Sequence, residues 1–204
     1  MGSKGEGFVT KLVEHTGSRL FYPQGKQAGP HDPPDFTWTW GQGVDQVAVV
    51  HVDGLLLHPE RGLGILEIKN HEKYGFDTTV RDGPKVGYLA QMAVQSASVD
   101  EYLCKEGNIL DAEGKSAISE VRKLSFIDFV ARANAVKVDQ RELMSLNCEV
   151  ETVPISDFND TLVAYRLHRP GIDALQQAFL PRVKAHYANI RTAHKTGQEP
   201  MVPD

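Results

Sequence analysis

Residues 51–70, HVDGLLLHPERGLGILEIKN, constrain the fold more than any other stretch of the chain. Residues 47–57 are rich in Val and Leu, residues 65–69 form a second short apolar run, and the turn-forming residues 58–62 separate the two. This pattern is typical of a β-hairpin. If the chain reverses over residues 59–61, the predicted register places Asp53 directly opposite Glu67.

Three charged side chains share one face of this hairpin. Side chains alternate between faces along a strand, so Glu67 and Lys69 point to the same side. Directly opposed residues have Cβ atoms about 5 Å apart, and the carboxylates of Asp53 and Glu67 can therefore share one cation. Mg²⁺ or Mn²⁺ suits such oxygen ligands, and the backbone carbonyl of Ile68 would add another. The pattern predicts a metal site for phosphodiester cleavage, with Lys69 placed to polarise or deprotonate the attacking water.

A different interpretation of the same residues is a ladder of ion pairs on an exposed sheet face, where opposite charges commonly pair. The triplet Glu-x-Lys also occurs at residues 113–115, in a polar stretch without apolar flanks. We expect that second triplet to lie in a loop.

A helix is predicted over residues 84–107, with Pro near its first turn and Gly just past its end. Tyr88, Gln91 and Gln95 recur at helical spacing and form one polar stripe along it. A polar stripe is often a solvated face. Here it follows the Asp and Glu-x-Lys of the hairpin, and the order of the motifs becomes informative.

An Asp, then Glu-x-Lys on the next strand, then a helix bearing Gln resembles the PD-(D/E)xK nucleases, in particular the RecB-like branch with the YqaJ-type and lambda-type phage recombination exonucleases. That family also carries a Glu on a preceding helix. Glu6 and Glu14 are the candidates: Glu6 borders the apolar face formed within residues 8–13, whereas Glu14 lies nearly opposite. A Glu about three turns before a helix-closing Thr-Gly also matches Glu6, which we therefore predict.

The resemblance implies how the site would be built. Asp53 would bridge two metal ions, Glu67 and the Ile68 carbonyl would complete one site, and Glu6 would support the second directly or through water. Lys69 would activate the attacking water.

The same resemblance assigns a role to the helix and to the link before it. Gln91, with Tyr88 beside it, would orient the water or a phosphate oxygen. Arg81 and Lys85 lie between the hairpin and the helix and are predicted to bind substrate phosphates.

At the level of the whole chain, the resemblance implies an α/β fold, a restriction-endonuclease-like core with a central mixed β-sheet flanked by helices, over a single domain of residues 1–204. The implied activity is a Mg²⁺-dependent DNA exonuclease acting from duplex ends in phage-type recombination. A single-strand annealing protein and a ring-shaped homotrimer are the implied partner and assembly. A structure-specific or site-specific endonuclease and a non-catalytic DNA-binding subunit remain open, because a fold does not determine its substrate.

Composition sets outer limits. The chain has 204 residues, 41% apolar and 24% charged, enough for one domain with a sizeable core. It contains no apolar run near the length of a membrane span, so neither a membrane helix nor a signal peptide is expected. Two cysteines, Cys104 and Cys148, predict free thiols in a reducing cytoplasm, that of a bacterial host if the chain is phage-encoded. They cannot supply the four thiolates of the cluster-bearing relatives, so no iron–sulfur cluster is expected.

Charge is distributed unevenly along the chain. The net charge of −5 argues against a protein that coats DNA by bulk positive charge. Residues 168–197 are nevertheless basic and form a predicted long helix, which would either track a phosphate backbone or be solvated. Trp38 and Trp40 are predicted to lie in the core, with base stacking as the alternative.

Overall fold

The strands and helices of the chain are given by a computed structural model, which describes residues 17–23, 35–39, 47–105, 109–110, 116–118, 121–134, 149–155, 160–197 and 199. The strands are β1 Arg19–Pro23, β2 Asp35–Thr39, β3 Val47–His51, β4 Gly54–His58, β5 Gly62–Asn70, β6 Ile109–Leu110, β7 Ser116–Ile118, β8 Phe126–Asn134, β9 Glu149–Ile155 and β10 Asp160–His168. The helices are α1 Lys73–Asp82, α2 Val86–Lys105 and α3 Arg169–Thr196. The predictions made for Glu6, Trp40, Cys148 and residues 113–115 lie outside the described residues.

The chain is an α/β protein with a mixed sheet packed against helices. Eight strands follow the order β7-β6-β1-β4-β5-β8-β10-β9, and four of them, β4, β5, β8 and β10, form its centre. Strands β5 and β8 pair in parallel, whereas the other pairs are antiparallel. The predicted mixed sheet with the hairpin at its centre is therefore confirmed.

The predicted register of the hairpin is also confirmed. Strand β4 pairs with β5 so that Gly54 opposes Leu66 and Leu56 opposes Gly64, which places Asp53 opposite Glu67 one step beyond the last paired residue. Residues 59–61 form the turn between the strands.

The expectation of one strand over residues 47–57 is wrong. Strand β3 ends at His51 and pairs with β2 in a separate two-stranded sheet, and β4 begins at Gly54. At the break, the Asp53 carboxylate accepts a hydrogen bond from the Ile68 N–H at 2.6 Å. A side-chain acceptor thus replaces the backbone acceptor that a continuous ladder would provide.

The link between the hairpin and the Gln helix is itself partly helical, which the sequence patterns did not predict. It contains α1, which buries Phe76, Thr79 and Val80 at helical spacing against the sheet. Gly, Thr and Val are weak helix formers, so α1 owes its stability to this buried face rather than to local propensity. Helix α2 matches the predicted helix but is two residues shorter at each end.

Glycine allows the two central parallel strands to pack closely. Gly64 of β5 is opposite Phe126 of β8, and a Cβ at this position would overlap the Phe126 ring.

A buried ion pair joins the next two strands of the sheet, β8 and β10. Arg166 of β10 and Asp128 of β8 are directly opposed and form two hydrogen bonds, with Nε–Oδ1 at 2.7 Å.

The described helices α1, α2 and α3 cover one face of the sheet. Side chains from β4, β5, β8 and β10 pack there with residues of all three helices: Leu55, Leu63, Ile65, Phe76, Val80, Met92, Ala93, Val99, Ile127, Phe129, Val163, Tyr165, Ile172 and Leu175. Trp38 is 4% exposed, which confirms its predicted core position.

Helix α3 continues through Pro181 and is closed by Gly197, which adopts the left-handed conformation. None of the helices in the described parts of the chain has the length and apolar content needed to cross a membrane.

Candidate active site

Glu67 is the centre of the candidate site. Its side chain lies on β5 and is 1% exposed. Gln91 donates to Oε1 through its amide nitrogen at 2.8 Å, Gln95 donates to Oε2 at 2.5 Å, and Lys69 forms an ion pair with Oε1. A buried carboxylate requires such donors, because burial without them is strongly unfavourable. The donors around Glu67 therefore stabilise its carboxylate at a buried sheet position that an apolar residue would ordinarily occupy.

Asp53 lies beside Glu67 at the rim of the site, where its side chain keeps access to solvent. The protein around the carboxyl group nevertheless desolvates it and raises its pKa, while the Ile68 N–H and the Lys69 charge act in the opposite direction. Burial also raises the pKa of Glu67, and the neighbouring Asp53 charge raises it further. A bound cation would favour the ionised form of both carboxyl groups.

The predicted backbone ligand, the Ile68 carbonyl, lies on the same edge of β5 as Asp53. The N–H and C=O of one residue point to the same side of a β-strand, and the Ile68 N–H points to Asp53. The Ile68 carbonyl therefore faces the edge of β5 on which Asp53 lies.

Lys69 and Tyr88 form the other wall of the site. The Lys69 side chain is 23% exposed, and its ammonium group lies 5.3 Å from the centre of the Tyr88 ring. Tyr88 in turn packs against Phe129 of β8, with ring centres 5.6 Å apart. The ammonium group is thus held between a carboxylate and an aromatic face, which restricts where it can point.

The fold brings together most of the predicted residues within the described part of the chain. Asp53, Glu67, Lys69 and Gln91 converge on the end of the hairpin, with Tyr88 against Lys69. Arg81 forms a two-point ion pair with its neighbour Asp82 at the exposed end of α1, at 2.8 and 2.7 Å.

Lys85 lies close enough to His71 to affect its pKa. The roles of Arg81 and Lys85 as substrate ligands, and that of Glu6, stay predictions.

Sequence reasoning did not assign two residues of this neighbourhood. Gln95 was placed on the polar stripe but given no role, although it binds both Glu67 and the His51 carbonyl, the latter at 2.9 Å. Its spacing of four residues from Gln91 was the available signal. His71 was not singled out, since a single His at the end of a strand carries no motif.

The donor set fits a divalent cation of the magnesium type. Mg²⁺ uses one or two carboxylates, completes its shell with water and accepts carbonyl oxygens. Asp53 and Glu67 supply the carboxylates, and the Asp53 charge that raises the pKa of Glu67 would be offset by a shared cation. Within the described residues, no cluster of three or more His, Cys, Asp or Glu side chains could hold a metal ion.

Comparisons of the chain with protein-family models, curated proteins and solved structures find no match.

Proposed function

We propose that this chain is a Mg²⁺-dependent deoxyribonuclease with a restriction-endonuclease-like core of the PD-(D/E)xK type. The observation that carries the proposal is the buried Glu67 carboxylate, which faces Asp53 across the hairpin and is held by Lys69, Gln91 and Gln95. An exposed ladder of ion pairs is the simplest alternative. It does not account for a carboxylate that is 1% exposed and whose pKa is raised.

The proposed reaction is hydrolysis of a phosphodiester, in which water attacks phosphorus and the bond to the leaving oxygen breaks. A divalent cation held by Asp53, Glu67 and the Ile68 carbonyl would supply charge stabilisation for the attacking and leaving oxygens. Both carboxylates must be ionised to hold it. Because their pKa values are raised, we expect activity to fall as the pH drops towards the acidic range.

The protein groups around the carboxylates would position the reactants. Lys69 would polarise the attacking water through its ammonium group, which Glu67 and the Tyr88 ring hold in place. To accept a proton from that water, Lys69 would first have to lose its own and act as the neutral amine. Gln91 binds Glu67 through its amide nitrogen, which leaves its amide oxygen to orient a water molecule. Glu6 would act as a further acidic ligand.

The proposed substrate is duplex DNA with free ends, degraded from the end as in phage-type recombination. A single-strand annealing protein would receive the product strand, and a homotrimeric ring would retain the enzyme on its substrate. These features rest on the order of the motifs alone.

The experiment that tests the activity compares linear with covalently closed circular duplex DNA, each incubated with Mg²⁺ or with EDTA. Glu67→Ala, purified in parallel, controls for contaminating nucleases. We expect Mg²⁺-dependent loss of the linear form only. Cleavage of both forms would make the chain an endonuclease on the same site, and cleavage of neither would contradict the nuclease proposal and favour a binding subunit.

A further inference from the structure

His71 occupies the junction of the sheet and two helices, next to the candidate active site. It directly follows β5, and its N–H donates to the Arg132 carbonyl of β8 at 2.8 Å. Its ring lies against the bare backbone of Gly75 in α1, where a Cβ would meet Nδ1 at 3.1 Å. The Tyr88 ring of α2 is 6.1 Å away between centres. These contacts fix the imidazole in one place.

The second nitrogen of this ring is buried and lacks a partner. Nε2 of His71 makes no hydrogen bond to any residue in the described part of the chain. Buried polar groups in folded proteins are nearly always paired, with protein, water or ligand, so an unpaired one requires an explanation. A structural imidazole would gain from a partner, or from replacement by a carbocyclic ring of similar shape.

The charges around His71 are positive. Burial lowers the pKa of His71, and the ammonium groups of Lys85 and Lys69 lower it further. Lys69 belongs to β5. Lys85 precedes α2, and its carbonyl accepts the N–H of Tyr88 at 2.9 Å, so Lys85 lies one turn before the residue whose ring is beside His71. Three described contacts of His71 are uncharged: Gly75 of α1, the phenol ring of Tyr88 and a backbone carbonyl of β8.

Lys69 is already engaged by the Glu67 carboxylate, whereas Lys85 is exposed. Nε2 is shielded from solvent in this structure, so the groups over it would have to move apart when the strand binds; an anion that reached Nε2 would then meet one ring donor and one ammonium group. It would also meet a second ammonium group that is partly neutralised.

We propose that Nε2 of His71 and the ammonium group of Lys85 form a subsite for a phosphate oxygen of the substrate strand, next to the carboxylate pair. This inference rests on the proposed nuclease function and names residues that would hold the strand beside the bond to be cut. A phosphodiester carries one negative charge and two exposed oxygens. The ring N–H would donate to one oxygen, and the ammonium group would bind the other and offset the charge. The ring, fixed by Gly75 and Tyr88, acts as a binding residue and does not take part in the chemistry.

Binding can be observed directly and without cleavage. The full-length protein, labelled at its histidine rings, is titrated in EDTA with a short duplex bearing 5′-hydroxyl ends and, separately, with inorganic phosphate. The His71 signals are assigned by their loss in His71→Phe. We expect a saturable shift of these signals with the duplex and a rise in the pKa of His71, because a nearby anion favours the imidazolium form.

A response to inorganic phosphate alone, or to neither ligand, would overturn the subsite. The first result would assign the site to free phosphate, and the second would leave His71 a structural residue.

Two variants separate binding from packing. His71→Phe keeps an aromatic ring against Gly75 and Tyr88 but removes Nε2, and His71→Gln restores a donor near the same position. We expect His71→Phe to weaken duplex binding in EDTA about tenfold, the effect of one hydrogen bond to a charged group. Its melting temperature should not decrease, and His71→Gln should recover part of the affinity.

Lysine variants provide a matched pair. Lys85→Ala should weaken binding, whereas Lys105→Ala, about 30 Å away at the other end of α2, should not. Unchanged duplex affinity in His71→Phe overturns the subsite even if the wild-type chain cleaves DNA. Conversely, His71-dependent binding without cleavage under any condition would retain the subsite and contradict only the nuclease.

Discussion

Gln91 of α2 donates a hydrogen bond from its side-chain amide to Oε1 of Glu67 on β5, across 2.8 Å. One turn further along the same helix, Gln95 binds the other carboxylate oxygen at 2.5 Å. Both oxygens of one buried acid are therefore held by a single helix, which restricts rotation of the carboxylate. Helix α2 is in this sense part of the candidate active site, and substitutions on its polar stripe test how the site is built.

Removal of Lys69 tests the proposed chemistry. We expect Lys69→Ala to reduce Mg²⁺-dependent cleavage of linear duplex by at least about 100-fold, the contribution of a positioned proton-transfer group, while DNA binding in EDTA stays largely intact. Single-turnover cleavage and fluorescence anisotropy measure the two quantities. Lys105→Ala is the matched control, and undiminished cleavage by Lys69→Ala would rule out the mechanism.

The two glutamines should differ in what they stabilise. Gln95 is 1% exposed, and Gln95→Leu leaves a Glu67 oxygen and the His51 carbonyl without their donor. We expect the free energy of unfolding to fall by about 2–3 kcal/mol, measured by urea denaturation. Gln91→Ala should cost less, about 0.5–1 kcal/mol, because Gln91 lies at the exposed edge of the helix and Lys69 still pairs with the same Glu67 oxygen; it should mainly slow cleavage. Equal losses of stability in Gln95→Leu and Gln91→Ala would contradict these different roles.

Stability should depend on pH through the carboxylate pair. The pKa of Asp53 is raised in the folded state. Between the ordinary pKa of 3.8 and the higher pKa of the folded protein, folding therefore takes up a proton. Across this window the unfolded state binds fewer protons, and stability falls as the pH rises. Asp53→Asn removes this loss of stability. It also removes the negative charge that raises the pKa of Glu67.

We therefore expect Asp53→Asn to melt at a higher temperature than wild type at pH 7 in EDTA, and the difference to shrink towards pH 4. Mg²⁺ should stabilise the wild type more than the variant, because a ligand that binds only the folded state raises stability. Thermal unfolding with and without Mg²⁺ measures both effects. A lower melting temperature for the variant at pH 7 would contradict the assigned direction of the pKa.

Two glycines provide a paired test of the fold. In Gly64→Ala the new Cβ overlaps the Phe126 ring between the central strands, and we expect a loss of about 1–3 kcal/mol. In Gly87→Ala, within α2, the Cβ meets nothing within 4 Å, and we expect a gain of about 0.5–1 kcal/mol because Ala favours the helix. Urea denaturation of both variants checks the signs. A stable Gly64→Ala would disprove the close packing of β5 on β8.

Local patterns predicted the parts of the fold that depend on neighbouring residues. The turn at residues 59–61 determines the hairpin register, and the alternation of side chains places Glu67 and Lys69 on one face. The polar stripe of α2 follows from helical spacing in the same way. Helix α1 could not be found like this, because residues such as Gly75 and Thr79 are weak helix formers and only the buried contacts of Phe76 and Val80 stabilise it.

The sequence by itself determined which residues could form the site: Asp53 opposite Glu67, Lys69 two residues further on, and Gln91 on the next long helix. Only the tertiary structure decided that Gln95 also binds Glu67, that the strand breaks at Asp53, and that Nε2 of His71 lies beside the site without a partner among the described residues. The physical reason is distance along the chain. Turn and strand periodicities act over a few residues, whereas burial and hydrogen bonding join β3, β5 and α2 only after the sheet and helices have packed.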